Sequence, residues 1–210
     1  LRAIRFACEL KFDIAPPTWR AIKKHAKDIK KVTPEIAAAE IVKTLCAHPT
    51  RALTLYEKSG ILEILLPEFK TMKACTQPRK WHTEGSVWRH TVLALEALEE
   101  YYQGAPPYPA ELVIAILLHD IGKPATKKRN SSAHTFYGHD RVGATLAAGV
   151  LRRLKLESAG VNKAAVTWLI KNHMAVFSAD PTKLRNTTVE KYFLSKRHPS
   201  ELLLQLIEYD

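Results

Sequence analysis

Cysteine is scarce: Cys8, Cys46 and Cys75 stand far apart, with no Cys-x-x-Cys pair among them. That spacing excludes a disulfide framework and a thiolate zinc site, leaving buried free thiols. Long apolar runs are missing too. The longest, Leu112 to Leu118, is about a third of the roughly 20 residues that a bilayer crossing needs. No charged-then-apolar leader opens the sequence, so the expected setting is the cytoplasm, with no membrane partner. The alternation typical of strands is absent, as is any short internal repeat. Acid is in deficit, with 21 Asp plus Glu against 32 Lys plus Arg and a net charge of +11. Such an imbalance points to an anionic partner, best a polyphosphate backbone.

What is present is enough for a real core. A chain of 210 residues that is 46% hydrophobic can fold as one domain or as two small ones. The basic excess falls in two regions. Residues 1 to 31 carry nine basic and three acidic side chains, and residues 121 to 155 carry eight and one. Either region can be a phosphate-facing surface or a solvated helix face.

The periodicity predicts an all-α chain. Asp13, Pro16 and Pro17 signal a helix in which Trp19, Ile22, Ala26 and Ile29 share a face. Thr33-Pro34-Glu35 opens another to about Ala47, a further one runs from Thr50 to near Gly60, and "ILEILLPEF" closes the first group. Residues 70 to 85 have no period and hold a proline and a glycine, so the boundary is placed there. The domains expected are a helical neck over 1–69, a linker over 70–85 and a second helical domain over 86–210. The second domain holds helices from Ser86 to Tyr102, Glu111 to about Ile121, Gly138 to Leu156 and Asn162 to Met174. A basic loop covers 124–137, and two more helices lie near 187–196 and 200–210.

In that second group, His90, His119, His139 and His173 fall on four different helices, and Asp120 adjoins His119. Adjacent side chains on a helix do not face each other, and an aspartate after seven aliphatic residues needs a partner. Imidazole and carboxylate are ligands for divalent transition metals, so converging helices can build one or two centres. His25, His48, His134 and His198 read as ordinary core or surface residues, and His82 leans the same way.

The order "WRHTVLALE", "ILLHDIGKP", "FYGHDRVGA", "WLIKNHM" resembles the HD superfamily of metal-dependent phosphohydrolases. With "HTEGSVWRHT" before it and "LRAIRFACELKFDI" at the start, the chain resembles the neck plus HD domain of bacterial tRNA nucleotidyltransferases and poly(A) polymerases. The resemblance covers nearly the whole chain. It implies His90, His119 and Asp120 as metal ligands, His139 and His173 as the extra ligands of binuclear members, and Asp210 as the last ligand. Asp210 is the final residue of this sequence, where a helix is least constrained. Asp120 would serve catalysis together with Lys123, a cation facing phosphate or else a helix-end lysine in solvent. Arg141 would share the phosphate role.

The ion implied is divalent, one or two per chain, with manganese, nickel, cobalt, iron, zinc and magnesium all open. The neck implies an RNA face carried by Arg2, Arg5, Lys23, Lys24 and Lys27, with the tRNA acceptor region as partner. Two departures stand out. The residues present hold no Asp-x-Asp and no nucleotidyltransferase head, so nucleotide addition is not expected of them alone. A neck motif that usually carries Glu-Arg and a later Glu reads Glu35-Ile36 and Glu40. Two functions stay open: phosphohydrolysis of nucleotides or RNA ends, and a non-catalytic body that positions tRNA.

Overall fold

The structure, a computed structural model, describes residues 1–78, 84–129, 134–175, 186–194 and 198–210. The architecture is all-α, as the periodicity requires. Its helices are α1 (Arg2–Glu9), α2 (Pro16–Lys24), α3 (Pro34–Ala47), α4 (Pro49–Ser59), α5 (Ile61–Leu65), α6 (Glu68–Ala74), α7 (Val87–Tyr101), α8 (Ala110–Leu118), α9 (Lys123–Thr126), α10 (His139–Arg153), α11 (Lys163–Asn172), α12 (Asn186–Val189) and α13 (Ser200–Tyr209). Strand pairing among the described residues is confined to Lys128–Arg129 against His134–Thr135 and a single bridge between Thr76 and Ser86. No helix among them is long and apolar enough to cross a membrane.

Helix α8 is the axis of the second half. All seven side chains from Leu112 to Leu118 are buried, and a helix that is apolar on every side must be enclosed by others. Helices α3, α7, α11 and α13 pack around it. Polar residues can follow only where α8 ends, and there His119 and Asp120 stand. Two differences from the sequence reading have simple causes. The helix expected through Ile29 stops at Lys24 and resumes as a 3-10 turn over Ala26–Lys31, because the turn lets Ala26 and Ile29 pack inward beside α5. Residues 70–74 are helical and belong to α6, whose Phe69 and Met72 are buried.

Neck and second group share one core. Glu99 of α7 caps the start of α4, accepting from the Thr50 backbone N–H at 3.1 Å and the Thr50 hydroxyl at 2.7 Å, with His48 Nδ1 at 2.7 Å. A carboxylate at a helix N-terminus satisfies open donors and meets the positive end of the helix dipole. Arg153 reaches from α10 to grip both oxygens of Glu68 at 2.6 and 2.8 Å and the Leu65 carbonyl at 3.2 Å. Such two-pronged geometry fixes direction as well as distance.

The turn after Asp120 depends on two glycines. A Cβ on Gly122 would lie 2.2 Å from the His139 carbonyl oxygen and 2.6 Å from the Gly143 nitrogen. A Cβ on Gly143 would lie 3.1 Å from the His119 carbonyl. Backbone therefore meets backbone here, which carries the start of α10 onto the end of α8. Gly122→Ala should lower stability by about 1–3 kcal/mol through overpacking. Gly149, in the same α10 with open space around its Cβ position, should gain about 0.5–1 kcal/mol as alanine from helix propensity. Denaturant unfolding of both variants checks this; equal effects would refute the close-approach reading.

Candidate metal centre

Three of the four histidines are built by one local device. His119 and His173 follow the last residues of α8 and α11, and His139 opens α10 after Gly138, whose φ of 79° reverses the chain. In each, Nδ1 lies on the carbonyl three residues earlier: His119 on Ile116 at 2.7 Å, His139 on Phe136 at 2.9 Å, His173 on Ile170 at 2.6 Å. A carbonyl has no proton to give, so Nδ1–H donates and Nε2 is the nitrogen turned inward. His90, on α7 just after the Ser86 cap, has Nδ1 3.0 Å from the Glu84 carboxylate. An imidazole whose far nitrogen is held by a carbonyl or carboxylate is what metal ligation uses to fix tautomer and orientation.

The inward atoms converge. His90 Nε2 lies 2.8 Å from Asp210 Oδ1 and 3.9 Å from Asp120 Oδ2. His119 Nε2 is 3.3 Å from both carboxylates. His139 Nε2 lies 3.4 Å from Asp120 Oδ1 and 3.2 Å from His173 Nε2. The two nitrogens face each other at 3.2 Å, a spacing that a proton on one ring or a cation shared between them satisfies. His119 Nε2 and Asp120 Oδ1 are buried with no hydrogen-bond partner among the described residues, and Asp120 Oδ2 is answered by the Lys123 ammonium. Two overlapping donor sets result, one of His90, His119, Asp120 and Asp210 and one of Asp120, His139 and His173, each within 4.8 Å across. The donors present thus fit one or two divalent ions with Asp120 between them.

The electrostatics favour an added cation. Burial opposes charge on His119, yet the Asp120 and Asp210 carboxylates outweigh it and push its imidazole up to about 10. Burial also raises both carboxylates, but His119 with Lys123 holds Asp120 well below the usual range, and His119 with His90 does so for Asp210. Burial and the neighbouring His119 push His173 down to about 4. A proton on His119 therefore occupies part of the space that two carboxylates reserve for positive charge.

Asp210 is better fixed than its place in the sequence suggested. Its N–H reaches the Leu206 carbonyl at 3.2 Å, and its side chain is held by His90 and is nearly buried. Lys123 fits neither sequence reading. It is buried, with Nζ 2.6 Å from Asp120 Oδ2 and 2.7 Å from Gln77 Oε1, so it steadies the carboxylate and is not turned to solvent. Arg5 also departs from expectation. Its guanidinium donates to Glu40 at 2.9 Å and Glu9 at 2.7 Å, which makes it a strut of the neck.

Arg2, Lys23, Lys24 and Lys27 are exposed, as is Arg141 at the start of α10. His25 pairs with Asp28, His48 with Glu99, and His198 stacks on Trp168. His82 lies outside the described residues. Glu84 and Gln77 escaped the sequence reading, because no period marks a partner supplied across a turn.

Comparison with known proteins follows the same line. The family described as "HD domain" matches residues 87–207, and "Probable RNA and SrmB- binding site of polymerase A" matches residues 11–73. An A-adding tRNA nucleotidyltransferase of Deinococcus radiodurans is 36% identical over 192 residues, covering 88% of this chain and 43% of the relative. A CC-adding tRNA nucleotidyltransferase of Thermus thermophilus is 29% identical, covering 100% of the chain and 48% of the relative. A multifunctional CCA protein of Nitrosomonas europaea is 29% identical, covering 74% and 37%. The chain spans less than half the length of these relatives.

Two consequences are measurable. In protein loaded with two ions, His173→Ala should halve the metal bound per chain, and Asp120→Asn should remove nearly all of it, as read by elemental analysis after loading. Because His119 holds its proton up to about pH 10, an ion must displace that proton. Affinity for the ion that His119 takes should therefore rise about tenfold per pH unit below that value, with about one proton released at pH 8 as that ion binds. Calorimetry in buffers of different ionisation enthalpy counts the proton.

Proposed function

Because this chain belongs to the HD-domain family and carries the neck-plus-HD arrangement of tRNA nucleotidyltransferases and poly(A) polymerases, we propose that it is a metal-dependent phosphohydrolase. Its substrates would be phosphodiesters or phosphomonoesters of nucleotides or RNA ends. The observation that carries this reading is the convergence of four Nε2 atoms on two buried carboxylates, with every Nδ1 already held from behind. A purely structural core gains nothing from orphaned acceptors, which cost about 1–3 kcal/mol each when unpaired.

In this reading His90, His119, Asp120 and Asp210 hold one ion, and Asp120, His139 and His173 hold a second. When bound, such ions supply a water made acidic enough to be deprotonated near neutral pH and neutralise charge on phosphoryl oxygens. Imidazole-rich donors suit manganese, iron, cobalt, nickel or zinc better than magnesium. Lys123 keeps Asp120 ionised and aimed, and Arg141 is left to face substrate. The neck, residues 1–69, would present Arg2, Lys23, Lys24 and Lys27 to the tRNA acceptor region in the cytoplasm. Helix α6 and the residues after it, to 85, would join it to an HD domain over 86–210.

A second reading, a non-catalytic body that holds tRNA for a nucleotidyltransferase head, is favoured by the same exposed neck cations. The two differ in what the metal donors do. Asp120→Asn keeps the volume beside buried Lys123. It should lower hydrolysis of 2′,3′-cyclic nucleotides by more than about a hundredfold, since even outer partners of a metal site are worth 10–100-fold. Manganese, nickel or cobalt should restore activity to chelated parent protein and not to the variant. A folded, metal-loaded parent with no turnover of cyclic nucleotides, 2′-nucleotides or simple phosphomonoesters would leave only the second reading. For the neck, Lys23→Glu, Lys24→Glu and Lys27→Glu together should weaken tRNA binding. They should also flatten its log–log salt slope by about 2 to 3, three lost phosphate contacts at roughly 0.7–0.9 each. Unchanged binding would make those lysines a solvated face.

A further inference from the structure

Beside the His139 and His173 half of the cluster lies a cavity of about 430 Å³, within the size range of small-ligand sites. Its wall continues the ligand-bearing backbone. Asp140 and Arg141 follow His139, and Asn172 and Met174 bracket His173, and all four line it. Three cations, Arg141, Lys171 and Lys191, face it with Asp140 as counterweight. All three are exposed, and none forms an ion pair among the described residues. The remaining wall is aromatic: His198 stacks on Trp168 at 4.5 Å and 11°, and Tyr192 lies 6.4 Å from Trp168 with the Lys191 ammonium 4.7 Å from its own ring. Arg141 and Lys171 also line an adjoining hollow along α10 and α11, of about 590 Å³.

Unpaired cations beside rings are the combination that receives a phosphate and a base together. Rings add about 1–3 kcal/mol per stacked base, whatever its identity. A site for inorganic phosphate alone would have no use for the aromatic wall. We propose that this cavity is a nucleoside-phosphate subsite: Arg141, Lys171 and Lys191 take phosphate, and the Trp168–Tyr192 wall takes the base. The proposal rests on the phosphohydrolase reading for its purpose, since it makes the preferred substrate a nucleotide and not a small phosphoester. It rests on the cavity alone for its existence.

The test is therefore binding, with metal content held equal across proteins. Calorimetric titration of the protein with adenosine 5′-monophosphate, ribose 5-phosphate and inorganic phosphate compares the three probes. Adenosine 5′-monophosphate should bind tightest. Lys171→Glu should weaken it at least tenfold. Tyr192→Ala should weaken it about fivefold or more while leaving inorganic phosphate unchanged, both variants keeping parental helical circular dichroism.

A single-stranded RNA ending in a 2′,3′-cyclic phosphate, bound more tightly than the mononucleotide and with the same sensitivity to Lys171→Glu, assigns the subsite to RNA ends. Equal binding of the two assigns it to free nucleotides. Equal affinity for adenosine 5′-monophosphate and ribose 5-phosphate, or parental binding by Lys171→Glu, overturns the proposal. Binding without turnover would keep this subsite and refute hydrolysis; turnover of a small aryl phosphate with parental nucleotide affinity in Lys171→Glu would do the reverse.

Discussion

A fully buried carboxylate must be answered by positive charge or by donors, and Asp120 sits at the centre of this half of the molecule for that reason. One answer is internal: the Lys123 ammonium at 2.6 Å, itself braced by Gln77. A single lysine does not suffice, because it reaches only Oδ2: Asp120 Oδ1 remains without a hydrogen-bond partner among the described residues, and Asp210 adds a second negative charge nearby. Around this deficit stand four imidazoles, each prevented by its own backbone or a carboxylate from turning away. Ion pairs inside proteins owe their cost to desolvation, which exceeds their attraction unless geometry is good and remaining lone pairs are met. Here the lone pairs are met only if a cation joins, which ties stability of this core to occupancy of its site.

The scaffold explains why that arrangement can exist at the end of α8. A helix buried all round has its direction set by neighbours on every side, so the residues that follow it inherit a fixed origin. The two close glycine approaches then bring α10 within backbone contact, and Arg153 and Glu99 lock α10 and α7 to the neck. Glu35 and Glu40 flank Ile36, which stands where the related motif usually has an arginine, and both are taken up within the chain: Glu40 by Arg5 and Glu35 by Lys155, each at 2.9 Å. The neck is thus tied to itself through the half-buried Glu40 and to the HD region through the exposed Glu35.

Much of this was legible in the sequence, and the parts that were not share a cause. Helix starts at Pro34 and Ser86, the Gly60 stop and the all-apolar run before His119 follow local rules of capping and periodicity. The convergence of His90, His119, Asp120, His139, His173 and Asp210 was readable only through the family resemblance, since ligands separated by up to 120 residues leave no local signal. What stayed hidden was direction. Nothing in "HDIGK" distinguishes a lysine facing phosphate from one folded back onto the aspartate three residues before it. Nothing in "LRAIRF" shows that Arg5 is enclosed by Glu9 and Glu40 while Arg2 is largely in water. A one-residue step on a helix turns a side chain by about 100°, and only packing decides which way is inside.

That difference in direction changes the electrostatic account of the site. With Lys123 committed to Asp120, the cation expected to meet substrate charge has to come from elsewhere. The next ones along the fold are Arg141, two residues after His139, and Lys171, two before His173. Each is held out from a helix whose neighbouring residue points a nitrogen into the cluster. Positive charge outside and imidazole inside on the same two helices form a gradient along which an anionic group would approach the buried carboxylates, whose own negative charge would otherwise repel it. The basic excess noted over residues 121 to 155 is therefore not uniform in role. Lys123 balances the interior, Arg153 and Lys155 join α10 and the turn after it to the neck, and Arg141 is exposed with no ion pair among the described residues.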